Sequence, residues 1–271
     1  MLPIVDVHAH YVSSDPKSEE NFRRLVDSPE LHRVVACALD LKLTHSDDFP
    51  FMDMFSTTNE ELAAFVGKLD SPKIVPFCHI DPRETDAAKQ TEYWVRERGM
   101  RGVKLYPPSG WYPDEPRVLP TFQAAESLGV PVLLHMGRVA PHPQLRSKFA
   151  RPLCLEDVGL ACPDLKVIIG HFGCPWQWEA FDIAVGFPNF FFDLTTSGSL
   201  DLPLLRLVLE YEYLGLRRIV LGTDGSGGKN LERAKATLER LRTGGFTEDQ
   251  LDAIAHHNGL AVLGESTDRA E

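Results

Sequence analysis

The sequence predicts an α/β protein, a single (β/α)8 TIM barrel over residues 1–271 with its active site at the carboxyl-terminal ends of the strands. Three observations predict it. The 271-residue length is close to the roughly 250 typical of such a barrel. Short apolar, β-rich runs alternate with amphipathic stretches from end to end, the pattern of βα units building a parallel sheet. The runs number eight.

In order, the strand candidates are Ile4 to His10, Val34 to Leu39, Ile74 to His79, Gly102 to Tyr106, Val130 to His135, Lys166 to His171, Phe190 to Asp193 and Ile219 to Thr223. Val132 to Leu134 and Val167 to Ile169 are uniformly apolar, as strands covered on both faces should be. Between the runs, Thr58 to Leu69, Ala87 to Arg98, Pro120 to Leu128, Leu202 to Leu214 and Leu231 to Leu241 repeat apolar residues every three or four positions, which predicts helices with polar outer faces. The long connections Val12 to Arg33, Lys42 to Thr57 and Pro107 to Pro116 mostly follow strand ends and are expected to wall a pocket there.

Composition removes several function classes. The formal net charge is -11 and no dense Lys/Arg run occurs, so the average surface repels a phosphate backbone or an anionic membrane. The 5 cysteines include no CxxC pair, which argues against a disulfide framework or a thiolate zinc site. The amino terminus reaches Asp6 without the basic and apolar segments of a signal peptide, and no apolar run approaches the ~20 residues of a membrane span. A cytoplasmic protein acting on a small molecule is the expectation, with a homo-oligomer left open.

The chemistry gathers at the strand ends. His8 and His10, two apart on one strand, are expected to project the same way and reach one ion. With 10 histidines in the chain that spacing alone proves little. Position strengthens it, because His135 and His171 end the fifth and sixth candidates and Asp224 follows the eighth. A lone histidine after an apolar strand is more often a hydrogen-bonded structural residue than a ligand. Five such groups on one rim are a different matter, and nitrogen with carboxylate donors suits a catalytic zinc site.

Asp6-Val7-His8-Ala9-His10, Gly102-Val103-Lys104-Leu105-Tyr106-Pro107, His135-Met136-Gly137, Gly170-His171-Phe172-Gly173-Cys174-Pro175-Trp176 and Gly222-Thr223-Asp224 resemble the ordered motifs of the amidohydrolase superfamily. More narrowly they are similar to its amidohydrolase-related (amidohydrolase 2) branch of hydrolases, lactonases and nonoxidative decarboxylases. Asn258 to Gly264 is similar to that family's closing helix. The resemblance implies that His8, His10, His135 and Asp224 ligate one divalent metal, Zn2+ first, with Mn2+ or Fe2+ as alternatives. It implies that His171 is an acid, base or polarising group.

The expected reaction is hydrolysis of a small amide, ester or lactone by metal-activated water, with Asp224 taking the proton and His171 polarising the carbonyl. A nonoxidative decarboxylase of a small carboxylic acid is the alternative, since it uses almost the same ligands. A TatD-like nuclease is disfavoured, because that family carries a glutamate where this chain has Lys104. A non-catalytic scaffold would have little use for five ionisable rim groups.

Lys104 is either an ammonium that binds an anionic substrate or, as in parts of the superfamily, a carboxylated metal bridge; the single-metal reading already has enough ligands. Arg138 is a candidate fork for a substrate carboxylate, with a plain surface arginine the equal alternative. Tyr106, Trp111 and Trp176 are candidate pocket walls, and Asp6, on the face of the two histidines, is a candidate support. His32, His45, His79, His142, His256 and His257 are not expected to be ligands, although His79 also ends a strand.

Overall fold

Eight parallel strands form one sheet in the computed structural model, which describes residues 2–195, 200–211 and 214–265. We label them β1 (Ile4–His10), β2 (Leu31–Cys37), β3 (Ile74–His79), β4 (Gly102–Leu105), β5 (Val132–Leu134), β6 (Val167–Ile169), β7 (Phe190–Asp193) and β8 (Ile219–Val220). Each pairs with its neighbour in chain order. The seam between β8 and β1 is closed by Val7 N–H donating to Leu221 O (2.9 Å), His10 N–H donating to Gly225 O (2.8 Å) and a parallel bridge between Ala9 and Gly225. The result is the expected α/β barrel.

The helices that return the chain are α1 (Ser18–Asp27), α2 (Asn59–Leu69), α3 (Ala87–Arg96), α4 (Leu119–Ser127), α5 (Glu156–Ala161), α6 (Gln177–Gly186), α7 (Leu202–Glu210) and α8 (Asn230–Thr243). Local chemistry sets some boundaries. Thr58 and Glu61 form a reciprocal capping box that starts α2, and the Asp201 side chain accepts from Leu204 N–H to start α7. α7 ends at Glu210, where Tyr211 turns extended, short of the expected Leu214; residues 212 and 213 lie outside those described. No helix among the described residues is long and apolar enough to cross a membrane.

Two expectations need correction. The connection from Val12 to Arg33 is not a loop throughout: it holds α1, whose buried Phe22, Leu25 and Val26 recur at three- and four-residue intervals within a strongly charged stretch. The strands β5 and β6 stop at Leu134 and Ile169, so His135 and His171 follow them rather than ending them. After β6, Gly170–Gly173 makes a tight turn in which His171 (φ 57) and Phe172 (φ 48) are left-handed.

Strand alternation sorts the core. Val5, Val7, Val35, Cys37, Val75, Phe77, Leu133, Ile168, Phe191 and Val220 form the inward cluster, and Leu260, Val262 and Leu263 belong to it too. These last three come from the chain's end, where α9 (Glu248–Asp252), a π turn and α10 (Asn258–Val262) plug the amino-terminal mouth of the barrel. A Cβ at Gly259 would lie 2.5 Å from Val5 Cγ1, so glycine permits that close seat. The outward faces, with Val103, Leu105, Val132 and Leu134 among them, pack under the helices. Seven strands contribute apolar residues to the interior; the inward position of β4, between Val103 and Leu105, is Lys104.

Candidate metal centre

The site begins with a slip in β1. Asp6 pairs with Val34 but Ala9 with Ala36, three residues against two, so β1 carries an extra residue between them. Such a bulge re-aims side chains. Val5 and Val7 face inward, and so do His8 and His10 above them, while Ala9 packs outward. Asp6 is therefore not on the histidines' face, as unbroken alternation had implied. Its carboxylate turns to the seam, accepting from Thr223 Oγ1 (2.6 Å), Thr223 N–H (3.0 Å) and Asn230 Nδ2 (2.8 Å). Burial pushes the Asp6 carboxyl up to about 7, against the bonds from Thr223 and Asn230.

Those bonds hold the turn that presents Asp224. Asp224 has φ 50, a left-handed conformation unfavourable for a residue with a Cβ. Arg233 from α8 donates to the carbonyls of Thr223 (3.2 Å) and Asp224 (2.9 Å) and fixes the turn from outside. Asp224 Oδ1 then sits 3.2 Å from His10 Nε2 and 3.5 Å from His8 Nε2, with the two Nε2 atoms 3.3 Å apart. One ligand atom from each of the three residues falls within 4.8 Å of the others. The imidazoles are buried, whereas the Asp224 side chain is 34% exposed, so the group opens towards solvent on the aspartate side.

His8 is oriented from behind. Its Nδ1 lies 2.6 Å from Asp193 Oδ2, at the end of β7, and both side chains are fully buried. The carboxylate accepts the Nδ1 proton and leaves the Nε2 lone pair facing the group. Burial pushes Asp193 up to about 6, with His171 and Lys104 opposing, so at neutral pH it remains the acceptor. A Cβ on Gly222 would lie 2.1 Å from Asp193 Oδ1, so that carboxylate depends on a glycine beside it.

The remaining rim histidines form a second layer. His171 Nδ1 meets Thr195 Oγ1 at 2.5 Å, and His171 Nε2 meets His135 Nδ1 at 3.0 Å. His135 stands outside the 4.8 Å group and connects to it through His171, whose ring is 5.2 Å from that of His8. Lys104 Nζ is 2.9 Å from His8 Nε2, with its side chain fully buried.

The electrostatics favour neutral imidazoles beside an ionised carboxylate. Burial lowers His8, His10, His135 and His171, the last to about 4, and Lys104 adds to the effect on His8. Burial works to raise Asp224, but the hydrogen bond with His10 and the fields of His8 and His171 outweigh it and hold the carboxyl well below its usual range. Burial also lowers Lys104. Of the rim histidines' ring nitrogens, His10 Nδ1 and His135 Nε2 are buried without hydrogen-bond partners among the described residues. Neutral imidazoles, an ionised carboxylate and unsatisfied buried nitrogens together fit a divalent metal ion.

The other expected residues divide. Tyr106 is buried with its ring 4.7 Å from that of His135, so it walls the site. Trp111 is buried but packs in the core and donates to Ser109 Oγ, and Trp176 lies under the Arg151 guanidinium at 5.3 Å. The Arg138 side chain is exposed and makes no hydrogen bond or ion pair among the described residues. His79 faces a side cleft of about 390 Å³ that it shares with Asp40, Asp81, Arg83 and Gln144, and that cleft includes none of the five rim groups. Asp193, Thr195 and Phe55, whose ring is 5.9 Å from that of His10, are the neighbours that strand patterning passed over. An aspartate closing the aromatic run of β7 was the available signal for the first.

A family model described as Amidohydrolase matches residues 5–264. The chain belongs to the amidohydrolase 2 family. No curated protein sequence matches it. Among solved structures it is similar to an uncharacterised TIM-barrel protein from Bordetella bronchiseptica, with 20% identity, a TM-score of 0.71, and coverage of 97% of this chain and 99% of that one. It is also similar to 2,6-dihydroxybenzoate decarboxylase from Rhizobium, with 17% identity, a TM-score of 0.71, and coverage of 97% and 99%. A third is a dihydroxybenzoic acid decarboxylase from Polaromonas sp. JS666 with bound manganese and the inhibitor 2-nitroresorcinol, with 18% identity, a TM-score of 0.67, and coverage of 97% of both chains. At these identities the likeness carries the fold; the family comes from the sequence match.

Proposed function

We propose that this amidohydrolase 2 member is a metal-dependent enzyme that decarboxylates a small carboxylic acid without oxidation. The observation that carries this reading is Lys104. Its Nζ is fully buried beside His8 Nε2 and has no ion pair with any described carboxylate. A buried amine at the floor of a site is matched best by an anion brought by the substrate. The two named decarboxylases that share the fold act on acids of that kind.

His8, His10 and Asp224 would hold the ion, with His135 as a further ligand through its unpartnered Nε2; zinc, manganese(II) and iron(II) all accept such donors. A bound divalent ion supplies Lewis acidity at the substrate's oxygens. Lys104 donates to a substrate carboxylate oxygen and sets its orientation. Phe55 and Tyr106 give the site apolar walls that keep water from the breaking bond. When the carbon–carbon bond breaks, its electron pair stays on the substrate carbon and the carboxylate leaves as CO2. That carbon then takes one proton. Asp224, on the solvent side of the group, passes it in from water through the carboxylate oxygen that does not face the ion, while His171, held by Thr195 at Nδ1, orients His135 through Nε2. Arg138, exposed and without a side-chain partner among the described residues, is a weaker candidate for substrate binding, and Trp176 serves packing against Arg151.

Hydrolysis of a small amide, ester or lactone is the second reading. It is favoured by the ionised Asp224, which is placed to take a proton from attacking water. The test is product analysis. Protein loaded with manganese or zinc is offered hydroxybenzoates, unsaturated acids, lactones and amides. Release of CO2 that is lost in Lys104→Met supports decarboxylation. Ring opening or amide cleavage without CO2 replaces it with hydrolysis.

A further inference from the structure

The plug at the amino-terminal mouth carries a second set of ligand side chains that the rim does not use. One π-helical turn, Ala253–His257, joins α9 to α10. An α-helix brings residue i+4 near residue i and turns i+5 away, whereas the wider π turn, bonded i to i+5, sets both beside residue i. Here residue i is Asp252, and the other two are His256 and His257. One ligand atom from each lies within 4.8 Å of the others.

The spacing matches coordination. His257 Nε2 is 3.1 Å from Asp252 Oδ2, close to the separation of about 3.3 Å between neighbouring ligands of a tetrahedral ion at ordinary zinc bond lengths. His256 Nε2 lies 3.0 Å from His32 Nδ1, which leaves His256 Nδ1 for an ion and supplies the second contact that ligating imidazoles use for orientation. Arg33, whose charge acts on His256, is itself bonded to Glu265 at 2.8 Å. All three candidate ligands are half-buried and reachable from solvent.

We propose that Asp252, His256 and His257 bind a second divalent transition-metal ion, with His32 orienting His256, and that this ion pins the closing helices to the barrel floor. This site is separate from the rim. His32 lies level with Ile4 and Val5, while Cys37 lies level with His10, so the two sites are roughly 16 Å apart along β2. Imidazole with carboxylate favours zinc, nickel(II) or copper(II) over magnesium or calcium.

Cobalt(II), whose visible absorption reports nitrogen and oxygen ligation, is the probe, titrated into the metal-stripped full chain. His8→Asn, which damages the rim group, is expected to keep one bound equivalent. His257→Gln in that background is expected to weaken the remaining equivalent at least 100-fold. Zinc is expected to raise the thermal midpoint of His8→Asn but not of the double variant. Equal cobalt binding by the single and double variants overturns the proposal, as does the absence of any equivalent in His8→Asn. Should the double variant fold poorly, anomalous diffraction from the wild-type chain with stoichiometric zinc decides: a peak beside Asp252 and His257 supports the site, and its absence overturns it.

Discussion

His8 and Asp193 are 185 residues apart in the chain, yet His8 Nδ1 and Asp193 Oδ2 meet at 2.6 Å with neither side chain exposed. The contact determines which nitrogen of His8 faces the rim group, and with it the site's readiness for a cation. It also joins the first strand to the seventh across the barrel.

Asp193→Asn removes the charge while keeping the shape. Loss of an orienting partner of this kind typically costs 10–100-fold in metal affinity. We expect a drop of about that size for the rim ion in competition with a chelator, with the circular dichroism spectrum unchanged. Wild-type affinity in this variant would show that His8 needs no partner.

Gly222→Ala places a methyl where the Asp193 carboxylate stands, 2.1 Å from Oδ1 and 2.9 Å from the His8 Cβ. Overpacking of this sort costs about 1–3 kcal/mol. Urea denaturation is expected to show a loss in that range, together with the weakened metal binding of Asp193→Asn. A stable variant with intact binding would mean that the backbone just after β8 yields more readily than the packing indicates.

His79 gives a pH dependence outside the rim group. Its Nδ1 accepts from Asp40 N–H at 3.3 Å, and burial pushes the imidazole down to about 4. Between pH 6.5 and 4 the unfolded chain takes up a proton at this position and the folded chain does not. Stability is thus full above 6.5 and falls as the pH drops towards 4, by at most about 3 kcal/mol. Denaturation midpoints measured across that window are expected to be less acid-sensitive in His79→Asn.

Metal removal is expected to lower stability as well as activity. A ligand that binds only the folded state adds about 2.7 kcal/mol at one hundred times its dissociation constant. Chelation should therefore lower the thermal midpoint, and manganese or zinc should restore it. A midpoint indifferent to both would argue against an ion at His8, His10 and Asp224.

Much of this was legible in the sequence where local signals and global fold agree. β1, β3 and β7 match the apolar runs residue for residue, because alternating burial in a barrel strand leaves a direct imprint on composition. The pairing of His8 with His10 was legible for the same reason. Helix α1 was not, since only three buried apolar residues mark it among charges. The direction of Asp6 was not either, because a bulge inserts one residue and reverses everything before it.

The amino-acid sequence by itself determined the barrel, the family motifs and the residues available to a cation, because these follow from periodicity and residue type. Tertiary structure decided which of them meet. It set His8, His10 and Asp224 together and placed His135 behind His171. It gave His8 its partner in Asp193, and it brought Asp252, His256 and His257 together across one π turn. Contacts between residues far apart in the chain depend on strand register, bulges and turn geometry, which leave no periodic trace.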